Sequence, residues 1–284
     1  MIVESKTLEL DQQKLVEYFK TKGRFKKYAL LNDVACFVYW FNGENILYTT
    51  NGQVVSGGKD ALLLKCGAYI NELLPEQDKM IELVVVHFYP EMLRKLFGTE
   101  IHETLIHISA AQSMPVKIAH DDLLAKYIES LLLYFKHPEI VNKDLLSLKL
   151  KELVLILSRT QNNQTLGEIF KYLFAPEEFS FQQVIEAHLF SGLSIKELAY
   201  LTHRSMASFK RDFQKIYKTS PSRYIKNKRL EKAAQLLSMT HKRILDIIPE
   251  CGFKNSSHFT RLFHEKFSLS PSAFRMSQTA NSLS

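Results

Sequence analysis

Two arginines, Arg211 and Arg261, stand 50 residues apart in matching surroundings and could recognise planar acceptor groups. Each lies at the centre of an F-x-R-x-F pattern. A guanidinium group can donate two parallel hydrogen bonds to phosphate oxygens or to the O6 and N7 atoms of guanine. At helical spacing the phenylalanines face inward, so both arginines would lie on an exposed helix face. The pattern therefore predicts two equivalent binding surfaces.

Other chemically suggestive residues do not complete a catalytic or metal-binding pattern. His102 and His107 are five residues apart, whereas the zinc protease motif needs a spacing of four to place both on one helix face. Residues 57–59 read Gly-Gly-Lys without the remaining spacing of a phosphate-binding loop, which predicts a turn. His87 ends an apolar strand with no second histidine at strand spacing, so it is predicted to lie in the core or line a pocket. The sequence predicts no catalytic residue, metal site or cofactor.

The three cysteines, Cys36, Cys66 and Cys251, are far apart and include no C-x-x-C pair. This distribution favours neither a disulfide framework nor a zinc site and fits a reducing compartment. The N-terminal residues lack an apolar signal-peptide core, and no apolar stretch approaches about 18 residues. A cytoplasmic location without a membrane partner is expected.

Both arginines belong to a weak internal repeat within residues 194–275. At an offset of 50, Phe209 matches Phe259, and the Ser-Pro pair at 220–221 matches the pair at 270–271. Upstream the offset is 49, so Ile195 matches Ile244. Each copy predicts a short helix, a turn and a second helix, which is a helix-turn-helix unit.

Helix caps and apolar spacing define the predicted units. In the first copy, Ser194 caps a helix over residues 195–199, residues 203–204 form the turn, and Ser205 caps a helix over 206–217. In the second copy Asn255 is the cap, and Pro249 predicts that the preceding helix ends early or kinks. A helix over residues 221–237 would join the copies rigidly. The residues predicted to face inward are Phe209, Phe213 and Ile216 in one copy and Phe259, Phe263 and Phe267 in the other.

The outward faces of the two second helices are the candidate DNA-binding surface, because such a helix fits the major groove. Residues 181–284 contain 17 Lys and Arg against 7 Asp and Glu, a net charge of +10, whereas the remainder carries −3. This asymmetry is typical of a phosphate-binding module. The candidate DNA-binding residues are Ser205, Ala207, Ser208, Lys210, Arg211, Gln214, Ser257, His258, Thr260 and Arg261.

The same residues carry a family resemblance. The patterns Ser205-(x3)-Phe209-Lys-Arg211-Asp-Phe213 and Ser220-Pro221-(x2)-Tyr224-Ile225-(x3)-Arg229-Leu230 resemble the AraC/XylS family of bacterial transcription regulators. Further matching segments are Gly252-Phe253-(x3)-Ser257-(x)-Phe259-(x)-Arg261-(x)-Phe263 and Ser270-Pro271-(x2)-Phe274-Arg275. The resemblance covers roughly 100 residues. It implies a DNA-binding transcription regulator, an activator more often than a repressor.

The remaining sequence predicts a separate N-terminal domain. Turn signals such as Asn42-Gly43 and Asn51-Gly52 separate short apolar runs over residues 34–88, which predicts a small antiparallel barrel or sandwich. Residues 12–21 are predicted to form a short helix, and further helices are expected at 90–97, 123–135 and 144–158. The resemblance implies that this domain is cupin-like and regulatory. Phe37, Tyr39, Trp40 and Phe41 could line a ligand pocket, although a packed core suits most of them better.

The overall prediction is an α+β fold with a barrel-like regulatory domain over residues 1–160 and a helical DNA-binding domain over 176–284. The boundary is expected near Ala175, after a polar linker at 161–165. Candidate partners are double-stranded DNA, RNA polymerase, a small-molecule effector and a second copy bound through the N-terminal half. The second copy is expected because the predicted helix over residues 144–158 is apolar on almost all of its faces. Two alternatives stay open: control by a protein partner, and an alkyl-transfer DNA-repair enzyme that would need a reactive cysteine.

Overall fold

Strands fill the first part of the chain and helices the second, as the predicted α+β class requires. The computed structural model describes residues 1–31, 34–65, 67–75, 79–98, 115–118, 121–160 and 179–281. The chain divides into two units, Met1–Glu178 and Phe179–Ser284. The predicted linker at 161–165 and the boundary near Ala175 lie outside the described residues, so both stay predictions.

The described strands form two antiparallel sheets. Sheet 1 has the order β1-β2-β9-β4-β7-β10 and sheet 2 the order β3-β8-β5-β6. Of the barrel and the sandwich that the sequence allowed, the sandwich is confirmed: the described strands do not close into a barrel but lie in two stacked sheets. The strand bounds are β1 Ile2–Leu10, β2 Gln13–Thr21, β3 Phe25–Leu31, β4 Ala35–Trp40, β5 Glu44–Thr49, β6 Gly52–Gly57, β7 Ala61–Leu64, β8 Gly67–Leu74, β9 Ile81–Phe88 and β10 Val116–Ile118.

Sheet 1 is covered on both faces. One face packs against the helices of this unit through residues such as Tyr18, Phe37 and Val84. The opposite face packs against sheet 2 through residues such as Phe19 and Val38. The central strands of sheet 1 therefore bury both sets of alternating side chains, which explains their continuous apolar runs.

The predicted helix at residues 12–21 is wrong, because this segment forms β2. Leu15, Val16, Tyr18 and Phe19 have helix-like spacing in the sequence, but all four are buried. Tyr18 belongs to the helix-facing core and Phe19 to the core between the sheets. A strand with two buried faces accounts for the spacing, and its β-branched and aromatic residues favour that state.

Three helices cover sheet 1: α1 Pro90–Phe97, α2 Asp122–Lys136 and α3 Lys143–Thr160. In α3, Leu153 and Leu157 are fully buried, whereas Leu148 and Leu155 are 63% and 42% exposed. These two leucines lie seven residues apart and so share a face. The helix is thus buried mainly within its own unit, and self-association stays a prediction. Across the described part of the chain, no helix is both long and apolar enough to cross a membrane.

Seven helices make up the described part of the second unit: α4 Phe181–His188, α5 Ile195–Leu201, α6 Met206–Tyr217, α7 Pro221–Met239, α8 Ile244–Glu250, α9 Ser256–Phe267 and α10 Pro271–Asn281. Side-chain caps start most of them. Ser194 accepts a hydrogen bond from the Glu197 N–H, and the Glu197 side chain bonds back to the Ser194 N–H, which forms a capping box. Ser220 caps α7, with Pro221 at the first helical position.

Candidate nucleic-acid interface and N-terminal cavity

The first helix-turn-helix unit consists of α5 and α6. Its turn places His203 in the left-handed region at a φ of 54°, and the Arg204 N–H donates to the Ala199 carbonyl at 2.9 Å. Ser205 then caps α6 by accepting from the Ser208 N–H at 3.2 Å. Phe209 and Phe213 are completely buried beneath α6. These contacts fix α6 as an exposed helix over an aromatic core.

The second unit, α8 and α9, repeats this geometry position by position. Gly252 takes the place of His203 with a φ of 78°, and the Phe253 N–H donates to the Ile248 carbonyl at 3.1 Å. Asn255 caps α9 by accepting from the His258 N–H at 2.8 Å. Both second helices end at a left-handed residue, Lys218 in α6 and Ser268 in α9. The sequence repeat therefore corresponds to a structural repeat.

The structure corrects one inward residue of α6. Ile216 is 38% exposed, whereas its neighbour Tyr217 lies 4.4 Å from both the Phe213 and Tyr224 ring centroids. Both residues satisfy helical spacing from Phe213, and the aromatic ring occupies the inner position. Phe267, the equivalent of Tyr217, lies 4.6 Å from the Phe263 ring.

Of the two outcomes predicted at Pro249, an early end of the helix is wrong, whereas a kink stays a prediction. α8 continues through Pro249 to Glu250 and contains seven residues, as α5 does. Pro249 cannot donate to the carbonyl four residues earlier, at Leu245. Leu245 is 71% exposed, so water can satisfy that carbonyl and the helix tolerates the proline.

The predicted DNA-binding residues lie on the outer faces of α6 and α9. Ser208 is half-buried and the others are exposed. The Arg211 side chain is 77% exposed and reaches Asp212 only at 3.8 Å. The Arg261 side chain is 64% exposed and donates to Glu265 at 3.1 Å. Exposed ion pairs of this kind contribute about 0–1 kcal/mol, so either arginine can turn toward a new acceptor at little cost.

Two arginines to which the sequence analysis assigned no role make hydrogen bonds within the helical unit. Arg204 donates to Asp212 and to the Thr202 carbonyl, each at 2.8 Å, and lies over the Phe181 ring. Its hydrogen bond lowers the pKa of Asp212. Arg229 points inward from α7. The sequence could have indicated this inward orientation, because Arg229 lies four residues from both Ile225 and Ala233. That spacing places its charge within the buried stripe of the helix.

In the N-terminal unit, a cavity of about 100 Å³ lies between the two sheets. Its walls are mostly apolar, with Phe19, Val85 and Leu73 among the lining residues. Four other lining residues each have a buried polar atom without a protein hydrogen-bond partner: Thr21 Oγ1, Trp40 Nε1, Asn71 Oδ1 and His87 Nδ1. Buried polar groups are normally satisfied. Trp40 and His87 therefore line a pocket, whereas Phe37 and Tyr39 belong to the packed core.

Glu17 and His87 form a polar pair on the wall of this cavity. The His87 Nε2 atom lies 2.9 Å from Glu17 Oε2. This hydrogen bond is the main cause that lowers the pKa of Glu17 to about 2, a second bond from Lys14 adds to it, and desolvation opposes it. With Glu17 ionised, its carboxylate can only accept, so His87 Nε2 donates to it.

The described cysteines do not fit a DNA-repair enzyme. Cys36 and Cys251 are buried, and burial raises the pKa of the Cys251 thiol to about 11. A reactive cysteine needs exposure and a lowered pKa. Cys66, like His102 and His107, lies outside the described residues.

Two family models match the chain. Residues 35–169 match the ExsA N-terminal regulatory domain, and residues 198–277 match a helix-turn-helix domain. The first match covers the strand-rich unit apart from β1, β2 and β3. The second covers both helix-turn-helix units except for the start of α5.

Among curated relatives, the transcriptional regulator GbdR of Pseudomonas aeruginosa is 32% identical over 43% of this chain and 35% of its own length. The transcriptional regulator ExsA of the same species is 27% identical over 56% of this chain and 57% of its own length. The matched region thus spans about half or less of these relatives. Fatty-acid-bound ToxT of Vibrio cholerae is 11% identical over 92% of this chain and 94% of that chain, with a TM-score of 0.37.

Proposed function

Because the chain belongs to the AraC/XylS family of transcription regulators, we propose that it binds a specific DNA sequence and regulates transcription, as an activator, under the control of a ligand in its N-terminal unit. The observation that carries the first part is the structural repeat of two exposed, N-capped helices, α6 and α9. They lie in a region with a net charge of +10. Two such helices on one chain suit two successive major-groove faces of a duplex.

Each unit has side chains suited to both base edges and phosphates. Arg211 and Arg261 can donate to guanine O6 and N7, and the methyl of Ala207 can contact a thymine methyl. Ser257 and His258 lie in the first turn of α9, where a recognition helix enters the groove. Lys210, Gln214 and Thr260 flank these positions. The proposed reading is therefore base contact through the arginines with surrounding contacts that fix the register.

The fragment of residues 176–284 is expected to bind DNA by itself, because it contains both repeats and the excess positive charge. Its affinity should fall about 1,000-fold between 50 and 200 mM salt, as expected for about six phosphate contacts that release counterions. Fluorescence anisotropy with labelled duplex DNA measures this, and a fragment of residues 1–160 serves as the control. A folded 176–284 fragment without salt-dependent binding would contradict the assignment.

The cavity between the sheets is proposed as the effector site. Trp40 Nε1 offers a donor, Asn71 Oδ1 offers an acceptor, Thr21 Oγ1 offers both, and His87 Nδ1 is a further polar atom. These groups line an apolar space not much smaller than an engineered cavity of about 150 Å³ that binds benzene. A small neutral molecule with an apolar ring and one donor–acceptor group fits this description, such as a phenol or a primary amide. Glu17 and Lys27 also line the cavity, so a ligand carboxylate would meet one like charge and one opposite charge there.

Trp40 is the only tryptophan of the chain and lines the cavity, so its fluorescence should report occupancy. Phenol and benzamide are expected to change this fluorescence, and at 100 times the dissociation constant to stabilise the unit by about 2.7 kcal/mol. Val38 lines the cavity, and Val38→Phe should narrow it. This variant is expected to abolish both the fluorescence change and the stabilisation by the two probes. If neither probe nor close analogues bind, a protein partner becomes the better candidate for control.

A further inference from the structure

The guanidinium group of Arg229 contacts both helix-turn-helix units at once. Its Nε atom donates to the Leu189 carbonyl at 2.6 Å, and Nη2 lies 3.5 Å from the Leu193 carbonyl. Both carbonyls belong to the segment that leads into α5. Its Nη1 atom donates to the Gly252 carbonyl in the turn of the second unit at 3.0 Å. One planar group therefore ties the entrance of the first unit to the turn of the second.

The backbones of the two units also approach each other closely at this point. A Cβ atom on Gly252 would lie 2.9 Å from the Phe190 carbonyl oxygen and 3.0 Å from Arg229 Nε. Gly252 has a φ of 78°, so both its conformation and its surroundings favour glycine. Lys232, one turn further along α7, lies over the Phe190 ring at 4.1 Å. The contact between the units is thus a packed junction with Arg229 at its centre.

We propose that Arg229 is a positioning residue that fixes the separation and angle between α6 and α9, so that the protein accepts only one spacing between its two DNA half-sites. This inference rests on the proposed reading of DNA by both helices. The second unit packs on the C-terminal half of α7 through Leu230, Ala233 and Leu237. The first unit contacts the start of α7 through the rings of Phe213 and Tyr217, which lie against Tyr224. Each unit is thus packed on a different part of α7, and Arg229 adds a direct link between the two units.

Neither lysine nor an apolar residue can replace this group. The guanidinium fork directs several donors in fixed directions, whereas an ammonium group is a point charge on a flexible stem. Arg229→Lys would keep the charge but lose the simultaneous contacts, and Arg229→Met would lose both. In each variant the three carbonyls could be satisfied by water at the partly open junction, so the units can fold while their relative position relaxes.

The test measures tolerance to half-site spacing in the full chain. A binding-site selection with the unaltered protein first defines the two half-sites, and duplexes are then made with one or two base pairs inserted between them. One inserted pair displaces the second half-site by about 3.4 Å and about 35°. The unaltered protein is expected to lose about 30-fold or more in affinity per insertion. Arg229→Met and Arg229→Lys should lose about threefold or less, from a weaker starting affinity.

Arg223→Met is the matched control, because it removes an exposed arginine of the same helix. It should lower the affinity for every duplex and keep the strict spacing preference. Circular dichroism confirms that each variant is folded, and Arg229→Lys carries the test if Arg229→Met unfolds. A folded variant that keeps the strict spacing preference would overturn the proposal. Failure of the proposed function is a different result, since selection with the unaltered protein would then yield no site.

Discussion

Replacing Arg211 with alanine is expected to relax base preference at one of two DNA sites and to leave the other site unchanged. Arg211 is exposed at the middle of α6, in a unit that is connected to the second one through α7 and the junction at Arg229. The two sites should lie about 10 bp apart on one face of the duplex. Loss of one bidentate contact should cost about 1–3 kcal/mol on the specific sequence and much less on random DNA.

Arg261→Ala should relax base preference at the other DNA site and leave the first one unchanged. We expect this loss of preference to be smaller than that of Arg211→Ala. Arg261 is paired with Glu265, whereas the equivalent position in the first unit is Lys215. Binding through Arg261 must break that pair and brings a carboxylate close to the DNA phosphates. Glu265→Gln is therefore expected to raise DNA affinity on all sequences, with the largest gain at low salt.

A binding-site selection with each variant measures these preferences. Lys218→Asn is the control, because it removes a positive charge at the end of α6 and places asparagine, which tolerates the left-handed conformation found there. It should weaken binding to all sequences alike. If Arg211→Ala and Arg261→Ala behave in that way too, both arginines contact only phosphate and the assignment of base contacts is wrong.

The helical unit was predictable because its signals are local. N-cap residues, Ser-Pro pairs and regularly spaced phenylalanines each act within one or two turns, and the repeat showed them twice. The error at Ile216 came from a choice between two neighbours that both satisfy helical spacing. Only the packing of the Tyr217 ring against Phe213 and Tyr224 decides it.

The N-terminal unit was harder to predict because its pattern depends on distant layers. β2 looks helical in sequence because the residues it presents to the α-helices and to sheet 2 are both apolar. Within residues 34–88 the sequence predicted strands at 34–41, 46–50, 53–56, 61–66 and 79–88 but none at β8, although the β8 residues Tyr69, Ile70 and Leu73 are buried. The role of Arg229 could not be predicted from sequence either, since its acceptors are carbonyls of Leu189 and Gly252, on segments that only the fold brings together.

The pair formed by Glu17 and His87 should make the N-terminal unit less stable in acid. The pKa of Glu17 falls from about 4.5 to about 2 on folding, chiefly through the hydrogen bond from His87. The depressed pKa means that the stabilisation is complete above about pH 5 and is lost as the pH falls toward 2. A difference of this size corresponds to about 3 kcal/mol, of which about 2 kcal/mol should be lost by pH 3.

Urea unfolding at pH 6 and pH 3, followed by Trp40 fluorescence, reports on the N-terminal unit because it contains the only tryptophan, and comparison with Glu17→Gln isolates the contribution of Glu17. Glu17→Gln should be less stable than the unaltered protein at pH 6 and should lose about 2 kcal/mol less between the two pH values. Glu9→Gln removes an exposed carboxylate of β1 and should keep the original pH dependence. An unchanged acid sensitivity in Glu17→Gln would mean that the hydrogen bond between His87 and Glu17 does not stabilise the folded unit.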